Sequence, residues 1–179
     1  MKRYIALLRG VNVGGKNKIA MHELKAAVME RAFSDAVTYL NSGNLIFSHE
    51  ASDETALADM IRELIRERFD LDIPVFVLAQ EALAAVLTEA PAWWGTEDAA
   101  IYDNLIFVIP PADAAELAGR IGEPTKGLER VLICENVMFW SFDRKNYAKA
   151  NWWKQTASAG IGENLTIRTA NTLKKLAGM

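Results

Sequence analysis

The stretch that decides the fold is YIALLRGVNVGGKNK, residues 4–18. Its first five residues form an apolar run of the kind found in buried β-strands. The following ten residues contain three glycines, two asparagines and three cations, and the first acidic residue of the chain is Glu23. Glycines let backbone N–H groups approach a ligand closely, and cations without acidic neighbours attract anions. We therefore expect a strand that leads into an anion-binding loop.

Outward from this stretch, hydrophobic periodicity and turn residues predict strand, helix, strand, strand, helix, strand, and then the same order again. In the first half, strands are predicted at 3–9, 36–40, 45–48 and 74–79, with helices at 21–32 and 53–69. A helix at 80–90 leads to the second half, with strands at 104–109, 129–134, 137–142 and 164–168 and helices at 111–121, 144–158 and 169–177.

This order predicts an α+β fold of two tandem ferredoxin-like (βαββαβ) plait halves packed together, with an extra C-terminal helix. We place the halves at residues 1–98 and 99–179. In such a plait the loop after the first strand and the Asn41–Asn44 hairpin turn lie at one edge. The apolar strands indicate burial on both sheet faces, so the face without helices is expected to meet the other half or a second subunit.

Composition is that of a globular protein outside the membrane, with 51% hydrophobic and 24% charged residues. No apolar run reaches the roughly 18 residues that a spanning helix needs. The single cysteine, Cys134, excludes an internal disulfide, and two distant histidines argue against a metal site. We expect a cytoplasmic protein without a cofactor.

Charge is distributed unevenly along the chain. Residues 1–22 carry five cations and no acid, and residues 144–179 carry seven cations and one acid. If the basic ends meet in space they form an electropositive patch, and otherwise they are scattered over solvated faces.

The segment 10–17 comes within one residue of the phosphate-loop pattern of nucleoside triphosphatases, but Asn17 stands where a hydroxyl would hold magnesium. We reject that reading and keep a weaker one, in which Arg9, Lys16, Lys18 and the backbone form an anion cradle. Its alternative is a tight structural loop in which the glycines only permit a positive φ.

Three other segments have a functional and a structural reading. The turn Asn41–Asn44 either offers side chains to a ligand or simply closes a hairpin. Arg168, before the closing helix, either marks a second anion site or precedes an ordinary capped helix. Trp152 and Trp153, beside lysines, either form a nucleic-acid stacking surface or pack one indole in the core while the other covers its edge.

Two motifs carry a resemblance. ALLRGVNVGGKNKI at residues 6–19 and TYLNSGNLIF at 38–47 resemble a widespread bacterial family of unknown function. The resemblance covers essentially the full chain and implies an α/β plait with two similar halves, but no established activity, substrate or cofactor. Near the C-terminus Thr166, Arg168 and Thr172 match the family's pattern, whereas Thr169 and Ala170 depart from it, which bears against a contribution of this segment to a ligand site.

The leading hypothesis is a protein that binds an anionic small molecule, for example a phosphorylated one. No catalytic constellation is evident, so the sequence leaves open whether the protein is an enzyme. The predicted ligand-binding residues lie in the loop, in the adjoining turn and at the last strand: Arg9, Asn12, Gly14, Gly15, Lys16, Asn17, Lys18, Ser42, Asn44 and Arg168. The alternatives are RNA binding through the basic termini with Trp152 and Trp153, and a structural or interaction role that includes a homodimer.

Overall fold

The computed structural model describes residues 1–179. Residues group into two compact units, Met1–Ala85 with Leu176–Met179, and Val86–Lys175. This grouping assigns the connection before the second sheet to the second unit, whereas the sequence-based division assigns residues up to 98 to the first half.

The first unit follows the order strand, helix, strand, strand, helix, strand. Its elements are β1 (Lys2–Leu8), α1 (Met21–Met29), β2 (Ser34–Tyr39), β3 (Asn44–His49), α2 (Glu54–Phe69) and β4 (Val75–Ala79), followed by α3 (Gln80–Thr88), which crosses into the second unit at Val86. The strands form an antiparallel sheet in the order β2-β3-β1-β4. Asp53 caps α2 because its carboxylate accepts hydrogen bonds from the amides of Thr55 and Ala56.

The second unit repeats the order of elements. It contains β5 (Ile101–Val108), α4 (Ala114–Ile121), β6 (Glu129–Cys134), β7 (Val137–Asp143), α5 (Asn151–Thr156), β8 (Leu165–Thr169) and α6 (Ala170–Ala177) up to Lys175, with short 3-10 turns at Tyr147–Lys149 and Gly162–Asn164. Its sheet is antiparallel, in the order β6-β7-β5-β8. The predicted α+β class, with two sheets of four strands, is confirmed.

Each unit has a core between one sheet face and its helices. In the first, α2 contributes a stripe at helical spacing, Leu57, Ile61, Leu64 and Ile65. In the second, Trp152 on α5 joins the α4 residues Leu117 and Ile121. The opposite sheet faces are buried as well, since every residue from Tyr4 to Leu8 is at most 1% exposed, which confirms the reading of that apolar run.

One predicted element is wrong. The helix expected over 144–158 is replaced by a 3-10 turn and the short α5. The Asp143 carboxylate accepts hydrogen bonds from the amides of Lys145 and Asn146, which closes a turn where the helix was expected. Ala150 then adopts an extended conformation with ψ of 129°, so that α5 begins only at Asn151.

No helix in the structure combines the length and the apolar character that crossing a membrane requires.

Candidate functional site

The loop after β1, residues 9–18, folds back on itself as a small closed turn. The amide of Asn12 donates to the carbonyl of Asn17 over 3.2 Å, and that of Lys16 donates to Val13 over 3.1 Å. Gly14 and Gly15 form the exposed tip, with φ of 59° and 75°. A Cβ at either position would meet no atom within 4 Å, so their backbone conformation and not a lack of space favours glycine.

Two asparagine side chains fix the shape of this loop. The Asn12 amide nitrogen donates to the carbonyls of Ile19 and Asn41, over 2.9 and 2.8 Å, while its oxygen accepts from the Ile19 amide over 2.9 Å. The Asn17 amide nitrogen donates to the carbonyl of Gly10 over 3.1 Å. Side chains of the loop itself therefore stabilise its conformation.

The loop lies beside the turn between β2 and β3, as the predicted order of strands required. The bond from Asn12 to Asn41 joins the two segments, and the Leu8 amide donates to the Gly43 carbonyl over 2.8 Å. Gly43 has a φ of 80°, and a Cβ there would lie 2.7 Å from the Cβ of Leu8. The close approach of turn and strand thus depends on glycine at this position.

Within that turn the two predicted ligand residues differ in their surroundings. Asn44 is buried, and its amide nitrogen donates to the Tyr39 carbonyl over 2.8 Å and to the Ser42 hydroxyl over 3.1 Å. Ser42 is exposed. Asn44 accordingly stabilises the turn, and Ser42 is the residue that faces solvent.

The three cations of the loop differ in their exposure to solvent. Lys16 and Lys18 are exposed, and no carboxylate oxygen lies within the 4.0 Å of an ion pair from either ammonium group. Arg9 is half-buried, and its amide donates to the Pro74 carbonyl over 3.0 Å. The loop therefore presents uncompensated positive charge next to its glycine tip.

Arg168 lies in the second unit, on β8. Its guanidinium donates to the Thr166 hydroxyl over 3.0 Å and to the Ile167 carbonyl over 2.9 Å. Burial lowers the pKa of Arg168 to about 10, because removal from water disfavours the charged form. Thr169 caps α6 by accepting from the Thr172 amide, which agrees with the reading of an ordinary capped helix.

Of the two tryptophans in the predicted nucleic-acid surface, only one is exposed. Trp152 is buried, and its ring N–H donates to the Gly122 carbonyl over 2.9 Å, so it is not available for stacking. Trp153 is 43% exposed and lies edge-on to Phe142 and Tyr147. One tryptophan thus packs in the core and the other covers its edge.

Sequence reasoning missed a buried carboxylate in the second unit. Glu129, 7% exposed, accepts hydrogen bonds from the Trp140 ring N–H and from the amides of Thr125, Asn151 and Trp152, at 2.8 to 3.2 Å. Because three of these four donors lie 11 to 23 residues away in sequence, no local signal marks the residue. Its contacts cap α5 and hold it on the sheet, so its role is structural.

Two cavities in the second unit were likewise not predicted. One of about 490 Å³ has the cations Arg144 and Lys174 and the acids Glu97, Asp98 and Asp103 in its wall. The other, of about 790 Å³, includes Arg130 and Ser141 in its wall. Ser141 donates a short hydrogen bond to the Asp103 carboxylate. No group of three or more His, Cys, Asp or Glu side chains is arranged to hold a metal ion.

The fold and loop define a two-unit α+β protein with a glycine-rich, basic loop after its first strand. The chain belongs to the family described as Protein of unknown function (DUF1697), whose model matches residues 1–139. Its structure is similar to that of the conserved bacterial protein SP0830 from Streptococcus pneumoniae, with a TM-score of 0.84 and 26% sequence identity over 99% of this chain and 97% of that one. No curated protein matches the chain significantly.

Proposed function

We propose that the loop 9–18 binds an anionic small molecule, with phosphate or carboxylate as the recognised group. The observation that carries this proposal is the combination of a pre-shaped glycine tip with two exposed lysines, Lys16 and Lys18, that form no ion pair. A ligand that meets a rigid loop does not have to order it, and the cost of binding falls accordingly.

The donors in this proposal come from the backbone and from the cations. The amides of Gly14 and Gly15 take no part in the loop's internal hydrogen bonds, which use those of Asn12 and Lys16. Successive amides near a positive φ form a concave nest for an anion. Lys16 and Lys18 supply point charge, and Arg9 supplies a planar fork for a pair of oxygens.

The remaining predicted residues have supporting parts. Asn12, Asn17 and Asn44 use their side-chain amides to hold the loop and the turn, so we assign them to the shape of the site. Ser42 adds an exposed hydroxyl in the adjoining turn. Arg168 is a separate hypothesis, since it lies in the second unit and its guanidinium donates to Thr166 and Ile167 of β8.

The test is titration of ¹⁵N-labelled protein with inorganic phosphate and pyrophosphate, followed by NMR. We expect saturable shifts of the Gly14 and Gly15 amide signals. Lys16→Ala combined with Lys18→Ala should weaken binding by about tenfold or more, because both charges lie within the screening distance of the anion. Lys25→Ala, an exposed lysine on α1, is the matched control and should leave binding unchanged. Shifts that fail to saturate, or that persist in the double variant, would refute the proposal.

A second candidate function is the binding of single-stranded RNA by the second unit. The observation that favours it is an exposed aromatic pair, Trp153 and Tyr147, with ring centroids 4.9 Å apart. The exposed cations Lys149 and Lys154 adjoin this pair in sequence. Stacking on such a pair combined with charge predicts binding of oligouridine that weakens steeply with salt and is lost in Trp153→Ala. Binding that does not respond to salt would exclude this function.

The proposal also includes a finer description of the fold and of the protein's location. The strand orders β2-β3-β1-β4 and β6-β7-β5-β8 support a ferredoxin-like plait in each unit. A single cysteine supports a reducing, cytoplasmic location.

A further inference from the structure

The outer strand β6 presents apolar side chains to solvent at the edge of its sheet. In the strand order β6-β7-β5-β8 only one side of β6 is paired. Leu132 and Ile133 are 39% and 42% exposed, and as consecutive strand residues they lie on opposite faces. The four residues Val131–Cys134 form an uninterrupted apolar run. Such an edge is a template for pairing with another strand.

The corresponding edge of the first unit is protected in the ways that isolated edges usually are. The pairing of β2 with β3 changes register between Ser34 and Val37, and Asp35 adopts a φ of 50°. An irregularity and polar residues of this kind disfavour pairing with a further strand. In contrast, β6 pairs with β7 over all six residues without a register shift, and it contains neither proline nor lysine.

We propose that β6 pairs antiparallel with β6 of a second copy of this chain, which joins two four-stranded sheets into one of eight strands. A two-fold axis that places Leu132 opposite Leu132 of the second copy also places Val131 opposite Ile133. Apolar side chains then meet on both faces of the new strand pair. Because the two copies use the same surface, the pairing closes at a dimer.

Charge at the two ends of the strand favours a second copy as the occupant. Arg130 and Glu135 are exposed, and neither has an oppositely charged group within 4.0 Å. In the antiparallel register, Arg130 of one copy lies opposite Cys134 of the other, one residue from Glu135. The dimer therefore forms this charge pair twice.

The test is the oligomeric state of the full chain, measured by sedimentation equilibrium across micromolar concentrations. We expect a wild-type dimer and a dissociation constant at least about tenfold higher for Leu132→Lys, since the two introduced ammonium groups would lie opposite each other. The matched control is Thr38→Lys on β2, which should remain dimeric. Circular dichroism checks that each variant folds.

Charge reversal provides a second test of the dimer that leaves the apolar run intact. It takes the place of the Leu132→Lys test if that variant fails to fold. Arg130→Glu should weaken the dimer, and Arg130→Glu combined with Glu135→Arg should restore it. A wild-type chain that is monomeric throughout, or that pairs only with a different protein, overturns the proposal. So does a folded Leu132→Lys variant, or an Arg130→Glu variant, with an unchanged dissociation constant.

Discussion

Replacing Glu129 by alanine should strongly destabilise the second unit. The carboxylate accepts from the Trp140 ring N–H and from the amides of Trp152, Asn151 and Thr125. All four donors lose their acceptor in Glu129→Ala. Since the residue is buried, water does not readily replace it.

The size of the fall in the free energy of unfolding depends on the donors that have no second acceptor nearby. The Asn151 amide also donates to the Thr125 hydroxyl over 2.9 Å, so it keeps a partner. The Trp140 ring N–H and the Trp152 amide remain as buried donors, each of which costs about 1–3 kcal/mol when left unsatisfied. We therefore expect the free energy of unfolding to fall by about 2–6 kcal/mol.

Urea denaturation followed by tryptophan fluorescence measures this loss selectively, because all five tryptophans lie in the second unit. Glu129→Gln retains one acceptor oxygen but turns an N–H₂ group towards two of the donors, so an intermediate loss is expected. Glu123→Ala, at an exposed acid between α4 and β6, should change stability by no more than about 0.5 kcal/mol. A Glu129→Ala variant within about 1 kcal/mol of wild type would refute the reasoning.

Two further predictions concern the first unit. Gly43→Ala should lower the free energy of unfolding by about 2–4 kcal/mol, whereas Gly14→Ala should lower it by only about 1–2 kcal/mol. Both glycines have a positive φ, but only a Cβ at Gly43 would clash with Leu8. Thermal unfolding followed by circular dichroism measures both losses, and equal losses would contradict the clash. Hydrogen bonding from Arg62 lowers the pKa of Asp72 below its ordinary 3.8. The stabilisation that the ionised Asp72 provides is therefore full above pH 3.8 and is lost as the pH falls through the folded-state pKa. NMR titration should show a higher Asp72 pKa in Arg62→Gln, and an unchanged pKa would exclude this cause.

The elements that could be predicted from sequence are those whose signal is local. The apolar run Tyr4–Leu8 and the stripe on α2 are buried as their periodicity indicated. The strands predicted at 129–134 and 137–142 leave a two-residue turn between them, and its first residue, Glu135, has the left-handed conformation, with φ of 50°. In each case the residues that specify the element lie within it, so no knowledge of the tertiary fold is needed.

Prediction failed where contacts distant in sequence, or a side chain that competes with the backbone, decide the structure. The carboxylate of Asp143 closes a turn in place of the first part of the helix expected at 144–158. Glu129 bonds to the Trp152 amide across 23 residues, and nothing near Glu129 in the sequence indicates that partner. Periodicity describes which face is buried, but it does not show which carboxylate will cap which helix.

The position of the loop beside the turn was predictable, but the contacts of its individual residues were not. The order of strands correctly placed the loop beside the turn that contains Gly43. An asparagine side chain, however, serves equally as a ligand donor and as a hydrogen-bond partner of the backbone, so sequence alone does not separate the two uses for Asn12 or Asn44. In the structure Asn12 bonds to the carbonyls of Ile19 and Asn41 and to the Ile19 amide, and Asn44 donates to the Tyr39 carbonyl and the Ser42 hydroxyl.

Shape and charge in this loop are consequently carried by different residues. Asn12 and Asn17 hold the backbone, and the glycines permit its conformation, while Lys16 and Lys18 make no ion pair that would help to fold it. A loop that only changes the direction of the chain needs the asparagines and glycines but not the two lysines. Exposed lysines contribute little to stability in such a position, so removing their charge tests recognition of an anion without disturbing the fold. This separation is what makes the proposed function accessible to experiment.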